Sequence, residues 1–224
     1  MPAKTIRIVF VILLLFACFV MLRISLRYLS FNTSIDFLKT KQGIIHLRLW
    51  RYAFYAHVMS SVLVLFCGIF QFLPAVMKRY PKWHRGAGKL YVILVLFVSG
   101  PGGLVMAFHA NGGWAARISF VLLSLCWIYT TALAYVRARQ RRFEAHRAFM
   151  IRSYALTLSA ITLRSYAFIL PSFIALKPKP EYILIAWMSW VPNLIVAEGI
   201  IRYKRKKQKL NSSLQIPASP DQVE

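Results

Sequence analysis

Four histidines stand in or beside long apolar runs of this chain: His57, His84, His109 and His146. Imidazole is the usual ligand of haem b iron inside helical bundles, and two histidines on facing helices make a bis-ligated site. Sorted by depth along their runs, the four form an outer pair, His57 and His109, and an inner pair, His84 and His146. Two haems so placed would give an electron path across a membrane. Arg164 would then meet an outer propionate, and Arg85, Arg147 and Arg152 inner ones. The same residues suit three other chemistries: a quinone or lipid pocket, a metal other than haem, and plain structural roles in which an interfacial histidine bonds a carbonyl.

Two arginines and one glutamate complete the candidate set. The stretch 144–171 becomes apolar at Phe149 and stays so for about twenty residues, long enough to cross a bilayer. It carries Arg152 near its start and Arg164 well inside. A charge at that depth marks a polar interior or a ligand. Glu198 lies at a depth close to that of Arg152 on the next run, so the two are expected to pair, directly or through His84 or His146. Arg164 lies roughly 15 Å from Glu198 along the helix axis, too far for contact. It is left to bind backbone carbonyls, to snorkel toward Glu181 or Asp36, or to hold an anionic ligand.

Those residues need a membrane bundle around them. Of 224 residues, 58% are hydrophobic, above the share of about 45–50% found in soluble domains. The net charge of +23 would suit nucleic acid in a soluble protein, but here the basic residues flank apolar runs, as topology signals and contacts to anionic lipid headgroups do. Nucleic-acid binding is therefore not expected. Cys18, Cys67 and Cys126 are isolated within apolar runs and suggest neither a disulfide framework nor a thiolate metal site. GxSxG, HExxH and P-loop motifs do not occur, so whether the chain is an enzyme stays open.

Six apolar runs, at about 6–22, 50–73, 90–108, 116–136, 149–171 and 182–201, predict an all-α bundle of six transmembrane helices. The first reads as a retained helix, not a cleaved signal, because Arg23 and Arg27 follow it without a small-residue cleavage site. With both termini cytoplasmic, 19 of the 29 basic residues fall inside, which is the expected bias. The parts are then a first transmembrane helix (1–29), an extracytoplasmic loop (30–49), a five-helix core (50–203) and a basic, then disordered, cytoplasmic tail (204–224). Thr33 to Asp36 are expected to cap a short helix ending at Gly43. Trp50, Trp83, Trp114, Tyr182 and Trp187 are expected in aromatic belts. Ser99-Gly100-Pro101-Gly102-Gly103 predicts a kink or local unwinding in the third run.

Several motifs in order carry a resemblance. They are GIFQFLP at 68–74, HRGAGKLY at 84–91, AHRAFMIRSYA at 145–155, Leu163-Arg164, WVPNL at 190–194 and Ala197-Glu198. The chain resembles, over about residues 50–200, a family of predicted bacterial membrane proteins catalogued as a domain of unknown function. The likeness implies an integral protein of the bacterial cytoplasmic (inner) membrane and no settled activity. More loosely, the chain is similar to two-haem cytochromes b, which implies haem b and transmembrane electron transfer. A haem-b or quinone-linked redox protein is thus the leading expectation. A small-solute or lipid-handling protein, with a pocket lined by Arg164 and the kinked third helix, is the alternative, and a structural or assembly partner the third.

Overall fold

In the computed structural model, which describes residues 3–213, long apolar helices pack side by side and short polar segments join them. Among the described residues, five helical spans are long and apolar enough to cross a membrane: Ile8–Ser30, Arg48–Phe72, Pro81–Ala107, Trp114–Arg139 and Pro178–Asn211. The first is α1 (Ala3–Leu26), which is apolar on every side and exposes Phe10, Leu13 and Phe16 while Cys18 and Met21 pack inward. That is the pattern of a helix with lipid around most of it. The second is α2 (Arg48–Phe72), ended by the Leu73-Pro74 step, where proline removes an amide donor.

Two helices, α3 (Pro74–Arg79) and α4 (Pro81–Leu94), carry the chain from the second span into the third. His84 thus sits on a helix. Each helix opens on a proline, which is pre-set for a first helical turn. The third span continues through a wide π turn, Val95–Ser99, into α5 (Gly100–Ala107). The fourth span is α6 (Trp114–Arg139).

The run expected as one further uninterrupted span is instead two helices, α7 (Phe143–Thr157) and α8 (Ser159–Ile169), meeting at Leu158. The last span is also broken, into α9 (Pro178–Met188) and α10 (Val191–Ser213). The breaks face one another. Asn193 Nδ2 donates to Ala155 O (3.3 Å) and Ser189 O (3.1 Å), and Thr162 Oγ1 also donates to Ser189 O. Carbonyls that a broken helix cannot satisfy are thereby matched inside the bundle. α10 carries the basic stretch as far as Ser213, so residues 211–213 of the expected disordered tail are helical and 214–224 lie outside the described residues.

The long loop folds back over one end of the bundle. Its short helix is a 3-10 turn, Asp36–Lys41, not a helix capped by Thr33 or Ser34 and ended at Gly43. Phe37 and Trp50 stack on Phe54 at 6.0 and 5.6 Å, and Tyr28 meets Phe54 edge-on at 5.0 Å. Trp50 is 1% exposed and belongs to this packed cap, whereas Trp83 and Trp114 are exposed as belt residues would be. Arg27 and Asp36 pair at 3.2 Å. Lys41, 4% exposed, donates through Nζ to His109 O and Asn111 Oδ1, both at 2.6 Å.

Two predictions follow from this packing. A Cβ at Gly68 would overlap the edge of the Tyr154 ring, whose hydroxyl donates to Leu65 O at 3.2 Å. Gly68→Ala gains about 1 kcal/mol of helix propensity but meets an overpacking cost of about 1–3 kcal/mol at a rigid ring. The variant should therefore melt lower in detergent, and adding Tyr154→Ala should relieve the overlap. The second concerns Lys41, whose pKa burial and the nearby Arg117 charge lower from 10.5 to about 8. Between those values the unfolded chain holds a proton that the folded chain has shed, so this group's contribution to stability rises with pH across that window. Relative to Lys41→Met, the native chain should gain roughly 2–3 kcal/mol between pH 8 and 10.5, read as the difference of their melting curves.

Candidate functional site

The π turn and the glycines of the third span set one wall of the site. A Cβ at Gly102 would stand 2.9 Å from Ala53 O and 3.1 Å from His57 Cβ. One at Gly103 would stand 3.0 Å from His57 Cε1 and Nδ1. Residues without side chains here let α5 lie directly on the imidazole of α2. The π turn presents Ser99 O to that imidazole, and His57 Nδ1–H donates to it at 2.7 Å. Ser99 Oγ and Ser60 Oγ share a further bond of 2.6 Å. With Nδ1 committed as a donor, neutral His57 keeps Nε2 as an acceptor. The expected kink is thus a wide helical turn, and its carbonyl is matched by the histidine.

Beside His57 lies a chamber of about 340 Å³, within the usual range of small-molecule sites of about 300–1,000 Å³. It is enclosed by α1, α2, α5 to α9 and the roof of the folded-back loop. Aromatic side chains dominate its wall, among them Tyr28, Phe37, Phe54, Phe120, Trp127 and Tyr182. Polar side chains among the lining residues include His57, Ser61, Ser124, Thr157, Ser159 and Arg164. Ser61 Oγ is buried without a hydrogen-bond partner. Trp127 meets the His57 ring edge-on at 6.4 Å and donates Nε1 to Thr157 Oγ1 at 3.0 Å.

Arg164 reaches the chamber from α8. Its NH1 group donates to Ala160 O at 3.1 Å, one turn back on its own helix. Among the described residues no carboxylate pairs with it: Asp36 is taken by Arg27, and Glu181 forms no ion pair with it. The snorkelling geometry is therefore not adopted. One carbonyl bond leaves most of the guanidinium's five N–H donors for the chamber.

The other sequence candidates are divided differently from the expected outer and inner groups. His109 is not part of the chamber wall. Its Nδ1 donates to Val105 O (3.2 Å), and its carbonyl receives Lys41. Arg152 and Glu198 do pair directly, through Nε–Oε1 at 2.5 Å and NH2–Oε2 at 2.9 Å, a bidentate fork that needs no histidine between them. His146 Nδ1 donates to Ala134 O (2.8 Å), and His84 Nδ1 is buried without a partner. Among the described residues no group of three or more His, Cys, Asp or Glu is placed to hold a metal ion. The three cysteines are free thiols.

A buried hydroxyl network under the chamber was not anticipated. Tyr91, fully buried, bonds Ser153 Oγ (2.8 Å) and Thr157 Oγ1 (2.7 Å), and Ser153 Oγ bonds Thr131 Oγ1 (2.6 Å). Hydroxyls scattered through apolar runs are too common to reveal such a cluster. The aromatic roof and Ser61 were likewise missed, since their convergence is tertiary. Asn193, polar and next to a proline in an apolar run, was visible as an oddity but not as the clip between two helix breaks.

Neither a curated protein nor a solved structure matches the chain. A family model described as predicted membrane protein (DUF2306) matches residues 54–201. That interval takes in α2 from Phe54 through Ile201 of α10, and with it His57, Arg164, the π turn and both facing helix breaks. With most of its length and all of the chamber wall except Ile24, Tyr28 and Phe37 inside that match, the chain belongs to the DUF2306 family of predicted membrane proteins.

Proposed function

We propose that this protein is a six-pass protein of the bacterial cytoplasmic membrane whose chamber binds a membrane-soluble ligand with a flat apolar body and an oxygen-bearing head. An isoprenoid quinone is the class that fits best. α7 and α8 together supply the remaining pass. The basic clusters at 78–89, 137–152 and 202–209, on the ends of five passes, favour a cytoplasmic position for both termini.

One observation carries the ligand reading. Arg164, a guanidinium without an acidic partner among the described residues, and His57, an imidazole with Nε2 left as acceptor, line the same aromatic-walled chamber. A quinone carbonyl accepts from the guanidinium, and the hydroxyl of its reduced form donates to Nε2. The ring packs beside Trp127 and Tyr182, and the isoprenoid tail needs only apolar surroundings. A fatty acid would use Arg164 but leave His57 without a donor.

Haem b is a second reading, favoured by a different observation. His57, His109 and His146 each donate Nδ1 to a backbone carbonyl, the arrangement that orients a metal-ligating histidine and leaves Nε2 for the metal. Bound there, haem would supply one-electron chemistry. The fit is partial, because His109 lies outside the chamber that His57 lines.

Titration of purified protein with a short-chain ubiquinone analogue should quench the emission of Trp127 saturably, and Trp127→Phe should remove that component. Arg164→Met should weaken binding about ten- to hundredfold, the worth of a hydrogen bond to a charged group. Quenching by oleate alone would transfer the site to fatty acids, and an unaltered affinity in Arg164→Met would refute the assignment. For the haem reading, a reduced-minus-oxidised visible spectrum of protein expressed with ample haem should show haem b bands that His57→Ala weakens. A flat spectrum rules it out.

A further inference from the structure

A second concavity lies at the opposite end of the bundle from the folded-back loop. It is an open groove of about 870 Å³ between the first turns of α7 and the far half of α10. The α6–α7 turn builds one wall. Arg141 adopts φ +57°, and its N–H and that of Arg142 bond back to Ala138 O (3.0 Å) and Arg137 O (2.9 Å), so two consecutive arginines leave a tight turn at the groove's rim. Arg147 follows on α7. Lys204, Arg205 and Lys209 line the groove from α10, nearly sixty residues later in the chain.

The charges in the groove do not balance. Among the described residues, Arg141, Arg142, Arg147, Lys204 and Arg205 line it against one carboxylate, Glu144, which accepts a hydrogen bond from Gln208. Glu198, a turn deeper on α10, is held by the fork from Arg152 and does not serve the groove. Cations of one sign facing each other across a cleft repel, and a multivalent oxyanion reverses the sign of that interaction. Arginine offers a planar fork to phosphate and lysine a point charge, and both are present on opposing walls.

The floor decides which phosphate. Ala148, Ile151 and Ile201 continue the groove from its charged rim toward the apolar belt of the helices. Free phosphate has no use for such a floor, whereas a glycerolipid does. Topology signals alone would require the charges only to lie on one side, not to converge on a cleft with an apolar base.

We propose that this groove is a binding site for an anionic phospholipid of the bilayer, its phosphate held between Arg147 and Lys204 and its acyl chain leaving past Ile151. The site is separate from the chamber and does not depend on what the chamber binds.

The test uses the full chain in neutral detergent, with cardiolipin, phosphatidylglycerol, phosphatidylcholine or inorganic phosphate added at fixed ionic strength. Lipid adducts are counted by native mass spectrometry, and melting is followed by tryptophan fluorescence. The anionic lipids should bind saturably and raise the melting temperature, and phosphatidylcholine should not. Arg147→Gln/Lys204→Gln should lose about thirtyfold in apparent affinity, at about fivefold per basic residue near a surface. Lys78→Gln/Lys82→Gln, which removes as much charge outside the groove, should stay within about twofold. Should the groove double variant fail to fold, Arg205→Gln at the rim should lose about fivefold. Equal losses in the two double variants, no preference over phosphatidylcholine, or stabilisation by inorganic phosphate to the same extent would each overturn the proposal.

Discussion

A carbonyl released from a helix inside a bilayer has no water to bond, and leaving it unmatched costs several kcal/mol. This chain interrupts its helices near the middle of the bundle at three places: the π turn at Val95–Ser99, Leu158, and Ser189-Trp190. At each, a polar side chain bonds a backbone carbonyl beside the interruption. His57 takes Ser99 O, Asn193 takes Ala155 O, and Thr162 and Asn193 take Ser189 O. The residues that look functional in an apolar sequence are therefore first of all the means by which irregular backbone is tolerated there.

What distinguishes His57 and Arg164 from the rest is what they have left over. Asn193 spends its amide hydrogens on Ala155, Ser189 and Thr162. His57 spends one ring nitrogen and keeps another. Arg164 spends one donor on Ala160 O. Placing an arginine at depth costs about 2.5–3.5 kcal/mol on insertion scales, and one hydrogen bond to a charged group returns about 1.5–3 kcal/mol. The single carbonyl contact roughly offsets the placement and leaves the remaining donors directed at the chamber. Arg152 shows the other solution, a bidentate carboxylate that consumes the guanidinium's fork and leaves it structural.

The sequence was most readable where one element decides the outcome. Apolar run lengths located the spans, and rise per residue put Arg152 and Glu198 at one depth, so that with so few acids their pairing was nearly forced. The glycines and proline at 100–103 announced a disturbance in the third span, though not that it would widen into a π turn around a histidine. Reading failed where the outcome depends on several elements at once. Nothing in Thr157-Leu158-Ser159 signals a break, because the break is stable only with Asn193 opposite. Lys41 falls in the expected extracytoplasmic loop, with nothing local to show that it is a buried tie to His109 O and Asn111, because the loop's conformation is decided by Phe54 and Trp50 beneath it. Depth alone grouped His109 with His57, but only the packing of α5 on α2 determines which of them faces the chamber.

The hydroxyl network beneath the chamber bears on how sharply it can recognise a ligand. Thr157 Oγ1 accepts from Trp127 Nε1 and Tyr91 and donates to Ser153 O. Tyr91 then donates to Thr157, Thr131 donates to Trp127 O at 2.7 Å, and Ser153, with one hydroxyl hydrogen, bonds Thr131 or Tyr91. Tyr91, Thr157 and Thr131 are thus committed as donors and cannot rotate without breaking a buried bond, each worth about 0.5–1.5 kcal/mol net and more if left unmade. Trp127 is held by that network at its indole nitrogen and meets His57 with its ring, while Ser99 holds His57 from the other side. The acceptor at Nε2 is therefore fixed before anything binds. A chamber whose polar atoms are already oriented spends little entropy on ordering them, so a few hydrogen bonds among many apolar contacts suffice for selectivity.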